Sequence, residues 1–289
     1  MPSIPASEYL SLIERLKPEH VAVIGALAAL ELLLEVVRIV SLSHLTVNAA
    51  NILRFTPPFI AGLPVAFLAP SRILGEAGRV VFFHKLAGVD EKTAASAVLN
   101  ERLLDFLLLA AASALLLTSM SGSQSSQLLA ASAVIIALIT SFFALARLVP
   151  YSKIARISPF LHNKELEKYY EAARKTAADS KTFLTASMLT IAIWLVDFFR
   201  VSYIFSLFNA KPSFLEVAGS TSISYIVGVL SMLPGGLGSF EFSGTFVYGL
   251  LGIDAATALP ALLMERLFSF WAWALIGGAL IVSYGSKVK

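Results

Sequence analysis

Residues 86–106 read LAGVDEKTAASAVLNERLLDF, and residues 250–270 read LLGIDAATALPALLMERLFSF. At a constant shift of 164 residues, eleven positions of these two stretches are identical, including a Gly, an Asp, a Thr and an adjacent Glu-Arg pair. Shared apolar composition does not explain identical polar residues, so the match indicates an internal duplication. The duplication extends upstream, because Glu35-x-x-Arg38 corresponds to Asp197-x-x-Arg200 at a shift of 162 residues.

The composition is that of an integral membrane protein. Of 289 residues, 57% are hydrophobic and only 14% are charged, against roughly 25% charged in soluble domains. A net charge of +3 leaves no large basic excess, so nucleic-acid binding is not expected. With no Cys in the chain, disulfides and thiol chemistry are excluded.

The apolar stretches predict an all-α membrane protein. A bilayer needs roughly 20 helical residues for one crossing. Uninterrupted stretches of about this length lie at 21–40, 94–118, 128–148, 183–207 and 257–283. Two further stretches, 51–88 and 213–251, are interrupted by Pro or Gly and predict a broken, re-entrant hairpin each. We therefore expect about six spanning helices and two such hairpins.

These elements divide the chain into two similar units. The first is 21–118 and the second is 183–283, and each contains a helix, a broken hairpin and a helix. An odd number of crossings separates the units, which predicts an inverted repeat of the kind common in secondary transporters. The remaining segments are an amphipathic N-terminus (1–20), a joining region (119–182) and a tail (284–289).

The joining region predicts the orientation of the chain. It contains an external loop, the linking helix 128–148 and a basic segment at 149–182 that carries seven Lys or Arg residues. Under the positive-inside rule this basic segment is cytoplasmic. We expect a multi-pass protein of the cell membrane and assign no chemistry to the basic segment.

Charged residues within the apolar helices are costly and therefore informative. Spacing of i, i+3 predicts the structural ion pairs Glu35–Arg38 and Asp197–Arg200, with a place in the substrate path as the alternative. The Glu-Arg pairs of the duplicated helices, Glu101-Arg102 and Glu265-Arg266, are equally suited to cross-linking the hairpins or to contacting substrate.

The two hairpin tips carry residues suited to phosphate. The first contains Arg72, Glu76 and Arg79, and the second contains Gly235, Gly236, Gly238 and Glu241. A helix N-terminus after a Gly-rich break presents free N–H groups to an anion, and Arg supplies planar donors. Alternatively, the glycines permit close helix packing and the arginines extend to the membrane interface.

The sequence motifs give little support for a catalytic or metal-binding function. The four His residues form no ligand pair of the usual spacing and no P-loop occurs, so we expect no metal, no cofactor and no ATP-driven motor. A nucleophilic Ser near Glu241 leaves a lipid-headgroup transferase as a minor alternative.

The chain resembles the transmembrane region of lysylphosphatidylglycerol synthase, a family of flippase-like membrane proteins. The resemblance rests on LPGGLGSFE (233–241), PSRILGEAGR (70–79) and NERLLDF (100–106), and covers the chain from about residue 20 onward. It implies translocation of lipids, notably aminoacylated phosphatidylglycerol or polyprenyl-phosphate-linked lipids. The chain contains neither the aminoacyl-transfer domain nor a glycosyltransferase domain, so synthetic activity is not implied.

Together these patterns predict a lipid flippase for an anionic phospholipid or a polyprenyl-phosphate-linked headgroup. The alternatives are a secondary transporter of a small solute and an accessory subunit of a lipid synthase or glycosyltransferase. Expected partners are the lipid substrate and either a second copy of the chain or a separate lipid-modifying enzyme. The candidate substrate-binding residues are Arg72, Glu76, Arg79, Glu101, Arg102, Gly235, Gly236, Gly238, Glu241, Glu265 and Arg266.

Overall fold

A computed structural model describes residues 17–69, 72–120, 123–154 and 164–284, and all regular secondary structure in the described part is helical. The α-helices are α1 (Pro18–Leu42), α2 (Ala49–Leu68), α3 (Arg72–Ala87), α4 (Glu91–Ser119), α5 (Ser123–Leu148), α6 (Tyr151–Ile154), α7 (Lys164–Ala178), α8 (Ser180–Leu207), α9 (Phe214–Leu230), α10 (Ser239–Leu250), α11 (Ala255–Arg266) and α12 (Ala272–Tyr284). Most of the predicted N-terminal segment, the tip residues 70–71, part of the basic segment and residues 285–289 lie outside the described residues.

Three of the described helices are long and apolar enough to cross a bilayer, by length and composition. They are Glu91–Ser119, Ser180–Leu207 and the run Ala255–Tyr284. This run comprises α11, a π-helical segment (Leu267–Trp271) and α12. The sequence predicted one regular helix here, whereas the structure has a π-bulge directly after Glu265-Arg266. Such bulges are frequent at functional sites. The protein is an all-α membrane protein.

The first predicted hairpin is formed by α2 and α3. Pro57, Pro58 and Pro64 lie inside α2 rather than breaking it, and α2 ends only at Leu68. The helices approach closely because Gly62 faces Arg79: a Cβ at Gly62 would overlap the Arg79 side chain. Small residues at helix crossings are typical of membrane proteins.

The second hairpin is formed by α9 and α10, joined through a 3-10 turn at Pro234–Gly236. Gly235, Gly236 and Gly238 all have positive φ, at 60°, 69° and 78°, a conformation that favours glycine. Gly236 also packs on Gly228, where an added Cβ would lie 3.0 Å from the Gly228 carbonyl oxygen. The PGGLG sequence therefore forms the predicted break, and its 3-10 turn contacts both α2 and α3.

The helices interlock across the two predicted units. Helix α1 packs against α8, while α2 packs against α12 and α4 packs against α9. Each hairpin thus contacts the final helix of the other unit. Two glycines permit these crossings, because a Cβ at Gly219 would collide with Leu116 and a Cβ at Gly277 would collide with the Ile60 carbonyl oxygen.

The basic segment contains helical structure that the sequence analysis treated as a loop. Helix α7 packs against α4, α5 and α8, with Ala173 and Ala177 buried. The α1–α2 loop lies beside it, since the His44 imidazole is 3.2 Å from the Thr176 hydroxyl. Burial lowers the pKa of His44, which favours a neutral ring at neutral pH.

Candidate functional site

A cavity of about 400 Å³ lies between the two units, at the meeting point of both hairpins. Its walls come from α1, α2, α3, α4, α8, α9 and the π-helical segment with its flanking helices. Aromatic and aliphatic side chains form most of the lining. The charged lining residues in the described part of the chain are Glu31, Glu35, Glu76, Asp105, Arg102 and Arg266. A concave, largely apolar site with a few polar groups is the usual form of a small-ligand site.

One side of this cavity is bounded by six charged residues, the Glu101 cluster: Arg38, Glu76, Arg79, Glu101, Arg102 and Asp105. Glu101 is fully buried at its centre and contacts three guanidinium groups, those of Arg38 at 3.2 Å, Arg79 at 3.1 Å and Arg102 at 3.1 Å. The cluster contains three carboxylates and three guanidiniums, so it is neutral when every group is ionised.

The outer carboxylates of the Glu101 cluster are also paired. Glu76 contacts Arg79 at 2.8 Å and Arg102 at 2.9 Å. Asp105 accepts hydrogen bonds from Arg38 at 2.5 Å and from the indole N–H of Trp194 at 3.0 Å. Because Trp194 belongs to α8, this last bond connects the first predicted unit to the second.

Arg79 is held inside the protein rather than in the cavity. Its guanidinium carbon lies 4.5 Å from the centre of the Phe59 ring and 5.7 Å from that of Phe83, and its side chain is 1% exposed. Cation–π contact and two carboxylate partners satisfy this charge. Arg102, in contrast, is 28% exposed and faces the cavity.

A second charged cluster, the Arg200 cluster, consists of Glu31, Asp197, Arg200 and Glu265. The Arg200 guanidinium contacts all three carboxylates, with Glu265 at 3.2 Å. The side chains of Asp197, Arg200 and Glu265 are fully buried, whereas that of Glu31 is 15% exposed. Asp197 Oδ2 and Glu265 Oε2 find no hydrogen-bond partner among the described residues.

The second hairpin is fixed by Glu241 and Arg266. Glu241 Oε2 accepts a hydrogen bond from the Gly238 N–H at 2.8 Å, which caps α10. Arg266 donates to the Gly235 carbonyl at 2.5 Å, and its Nε lies 3.7 Å from Glu241 Oε1. The guanidinium is also stacked between Phe240 and Phe270. These contacts turn Arg266 toward the glycine turn.

Residues at corresponding positions of the duplication make corresponding contacts. Arg38–Glu101 and Arg200–Glu265 are both 3.2 Å apart. Arg102 and Arg266 also each contact a hairpin glutamate, Glu76 at 2.9 Å and Glu241 at 3.7 Å, although these two glutamates do not stand at corresponding positions. The Arg–Glu contact between the first and last helix is therefore common to the two predicted units.

One predicted ion pair is wrong and one is present. Arg200 contacts Asp197 as the i, i+3 spacing suggested. Arg38 instead reaches across to α4, because two carboxylates, Glu101 and Asp105, are available there. Glu35 remains on the cavity wall with no ion pair to any residue that the structure describes.

The predicted substrate-binding residues fall into three groups. Glu76, Arg102 and Arg266 line the cavity. Arg79, Glu101 and Glu265 lie behind the cavity wall. Gly235 and Gly236 form the 3-10 turn, Gly238 is the N-cap of α10, and Glu241 lies in its first turn. Arg72 begins α3, and its side chain lies outside the described part.

Sequence reasoning missed Glu31 and Trp194. Glu31 stands four residues before Glu35, so both lie on one face of α1, and this spacing could have identified it. The Trp194–Asp105 contact joins residues 89 positions apart, and no local pattern signals it.

Comparison with known proteins places these features in a family. The model of the lysylphosphatidylglycerol synthase TM region matches residues 4–277. A UPF0104 membrane protein of Methanothermobacter thermautotrophicus is 27% identical over 124 residues, 43% of this chain and 37% of that protein. A UPF0104 membrane protein of Pyrococcus horikoshii is 26% identical over 118 residues, 41% of this chain and 35% of that protein. The matched segments thus span about a third of these relatives.

Proposed function

Because the chain belongs to the lysylphosphatidylglycerol synthase TM region family, we propose that it is a lipid translocase that moves a polar phospholipid headgroup across the membrane. The headgroup would occupy the cavity between the two units, while the hydrocarbon tails stay in the surrounding lipid. The observation that carries this proposal is the cavity itself, which brings charged side chains from both units into a largely apolar space between the hairpins.

The interlocked packing supports an inverted repeat. Equivalent helices form equivalent crossings, since α2 packs on α12 as α9 packs on α4. Equivalent ion pairs, Arg38–Glu101 and Arg200–Glu265, bind the first helix of each unit to its last helix. Repeats related in this way can exchange conformations, so that the cavity opens to one side and then to the other.

The charges on the cavity wall favour a headgroup with both a phosphate and a cationic group. Arg102 is partly exposed and would attract phosphate oxygens, although it is already surrounded by the three carboxylates of its cluster. Glu35 faces the same space without an ion-pair partner among the described residues and would accept a cation. This favours the alternative that the sequence left open for Glu35, a place in the substrate path.

Reconstitution into liposomes tests the proposal. The protein would be assayed with fluorescent phospholipids of anionic, zwitterionic and aminoacylated headgroups and with a polyprenyl phosphate, following transbilayer movement by quenching from outside. We expect acceleration for at least one phosphate-bearing lipid. Folded protein that accelerates none of them would overturn the proposal, as would uptake of a water-soluble solute without lipid movement.

A matched pair of variants tests the site. Arg102→Gln removes a guanidinium that faces the cavity, whereas Arg54→Gln removes an exposed one outside it. We expect the first to reduce transport at least about tenfold, the effect of roughly 1.4 kcal/mol, and the second to leave it unchanged. Equal transport by both folded variants would contradict the assignment of Arg102.

A further inference from the structure

The Arg200 cluster contains more negative than positive groups. One guanidinium faces three carboxylates, and three of these four side chains are fully buried. Carboxylates that share one buried site do not all ionise, because each charge raises the cost of the next and burial disfavours every one of them. The cluster therefore requires additional positive charge beyond that of Arg200.

The equivalent Glu101 cluster shows that the imbalance is specific to the second unit. Glu101 contacts three guanidiniums, whereas Glu265 contacts one. Two differences account for this. At the shift of 164 residues, Ser243 stands where the first unit has Arg79, and Arg266 turns to the Gly235 carbonyl. The second unit thus keeps the carboxylate and lacks its partners.

Two buried oxygen atoms indicate where the additional charge would be held. Asp197 Oδ2 and Glu265 Oε2 have no hydrogen-bond partner among the described residues, although both side chains are fully buried. A buried carboxylate oxygen without a donor is costly. Protonation converts such an oxygen into a neutral hydroxyl and removes one of the repelling charges.

The neighbouring helices do not supply the missing charge. Glu35 on α1, Asp105 on α4 and Tyr248 on α10 interact electrostatically with members of the cluster. The arginines that follow on the same helices as Glu31 and Glu265 are Arg38 and Arg266. Arg38 is engaged by Glu101 and Asp105. Arg266 is engaged by Gly235 and Glu241, and the remaining groups are acidic.

Glu31 connects the cluster to the cavity. Its side chain contacts Arg200 on one side, lines the cavity on the other and is partly exposed. Protons arriving in a hydrated cavity therefore meet Glu31 before they meet Asp197 or Glu265. The arrangement is that of a buried binding site with one accessible member.

We propose that the Arg200 cluster is a proton-binding site through which the protein couples headgroup movement to the proton gradient. A proton passes from hydronium to a carboxylate oxygen of Glu31, leaving water, and is shared with Asp197 and Glu265. Release on the opposite side, after the units exchange conformations, returns the cluster to its charged form. The coupling role rests on the proposed translocase function, whereas proton binding does not.

Infrared spectroscopy of the purified protein in nanodiscs, without lipid substrate, tests the binding site directly. A protonated carboxyl group gives a carbonyl stretch that a carboxylate lacks. We expect this band at pH 7 in the Glu35→Gln background, which removes the contribution of Glu35. The doubly substituted Asp197→Asn/Glu265→Gln protein leaves one carboxylate opposite Arg200, so the band should disappear.

Two further variants keep this test decisive. Glu31→Gln/Asp197→Asn also leaves a single carboxylate and should abolish the band in the same way. Glu91→Gln removes an exposed carboxylate outside both clusters and should leave the band in place. A missing band in the parent protein, or a band that survives both double substitutions, would overturn the proposal. A band that appears only when Na⁺ is replaced by choline would instead identify a metal cation as the occupant.

The coupling role is tested in liposomes with an imposed pH gradient. For one proton per lipid, a gradient of one pH unit supports up to about tenfold accumulation of lipid in one leaflet. We expect such accumulation in the parent protein and equal distribution in Asp197→Asn/Glu265→Gln. If the parent protein shows the infrared band but moves lipid at a rate and to an extent that do not depend on the pH gradient, coupling is rejected. The translocase function would stand.

Discussion

The Glu101 cluster and the Arg200 cluster are centred on matching residues of the two predicted units, yet their charges differ. Each is built around one Arg–Glu contact of 3.2 Å between the first and last helix of a unit. The Glu101 cluster adds two arginines and two carboxylates and is balanced, whereas the Arg200 cluster adds only carboxylates. The two clusters therefore share an Arg–Glu contact and differ in charge balance, and an unbalanced buried cluster is expected to exchange ions more readily than a balanced one.

The comparison is tested most strongly by neutralising the equivalent glutamates. Glu101→Gln leaves Arg38, Arg79 and Arg102 with too few carboxylates, and uncompensated buried charge costs about 3–5 kcal/mol. Glu265→Gln removes one of three acids around one guanidinium, so we expect a loss of about 1 kcal/mol or less. Equilibrium unfolding in mixed micelles measures both free energies.

Similar losses of unfolding free energy in the two variants would show that Glu265 is as fully ionised as Glu101. Folded yield by size-exclusion chromatography provides the control that both variants reach the membrane. A stabilised Glu265→Gln protein would show that repulsion among the acids of the Arg200 cluster exceeds their attraction to Arg200.

A smaller effect is expected from the turn that holds Arg266. Gly236 has a φ of 69°, and a Cβ added to its Cα would point at the backbone of Gly228. Gly236→Ala adds a methyl group there and should cost about 1–3 kcal/mol through backbone strain. Displacement of the turn would also free Arg266 from the Gly235 carbonyl and allow it to approach Glu265.

The infrared band of protonated carboxyl groups measures that second consequence. If the turn is what keeps Arg266 from Glu265, Gly236→Ala should weaken the band as the second cluster becomes more like the first. Gly238→Ala serves as the control, because it has a φ of 78° but no atom within 4 Å of an added Cβ. An unchanged band in Gly236→Ala would show that the turn does not determine the charge balance.

The sequence predicted the helices and both hairpins, because length, hydropathy and turn chemistry are local properties. The PGGLG segment forms its break through glycines with positive φ. The prolines were less reliable as indicators of a helix break, because α2 continues through Pro57, Pro58 and Pro64. Neighbouring helices can satisfy the backbone groups that such prolines free.

The partners of the charged residues were predictable only in part. Spacing along one helix identified Asp197–Arg200 and suggested Glu35–Arg38, but Arg38 contacts α4 instead. Which carboxylate an arginine reaches depends on the packing of separate helices, and a single sequence does not contain that distance. The contact between Glu31 and Arg200 was not predicted either, because it also depends on how two separate helices pack.

The smallest expected effect concerns the bond that ties the Glu101 cluster to the second unit. Trp194 donates its indole N–H to Asp105 at 3.0 Å, and Trp194→Phe removes this donor while keeping an aromatic ring. A hydrogen bond to a charged group contributes about 1.5–3 kcal/mol, but Asp105 retains Arg38 and Arg102, so we expect a loss of about 1 kcal/mol. Trp271→Phe is the matched control, because the Trp271 indole nitrogen is buried with no hydrogen-bond partner among the described residues. Equal unfolding free energies for the two variants would mean that the Glu101 cluster is stabilised by its own ion pairs and not by Trp194. The contacts that hold the two units together would then lie elsewhere, at the α2–α12 and α4–α9 crossings.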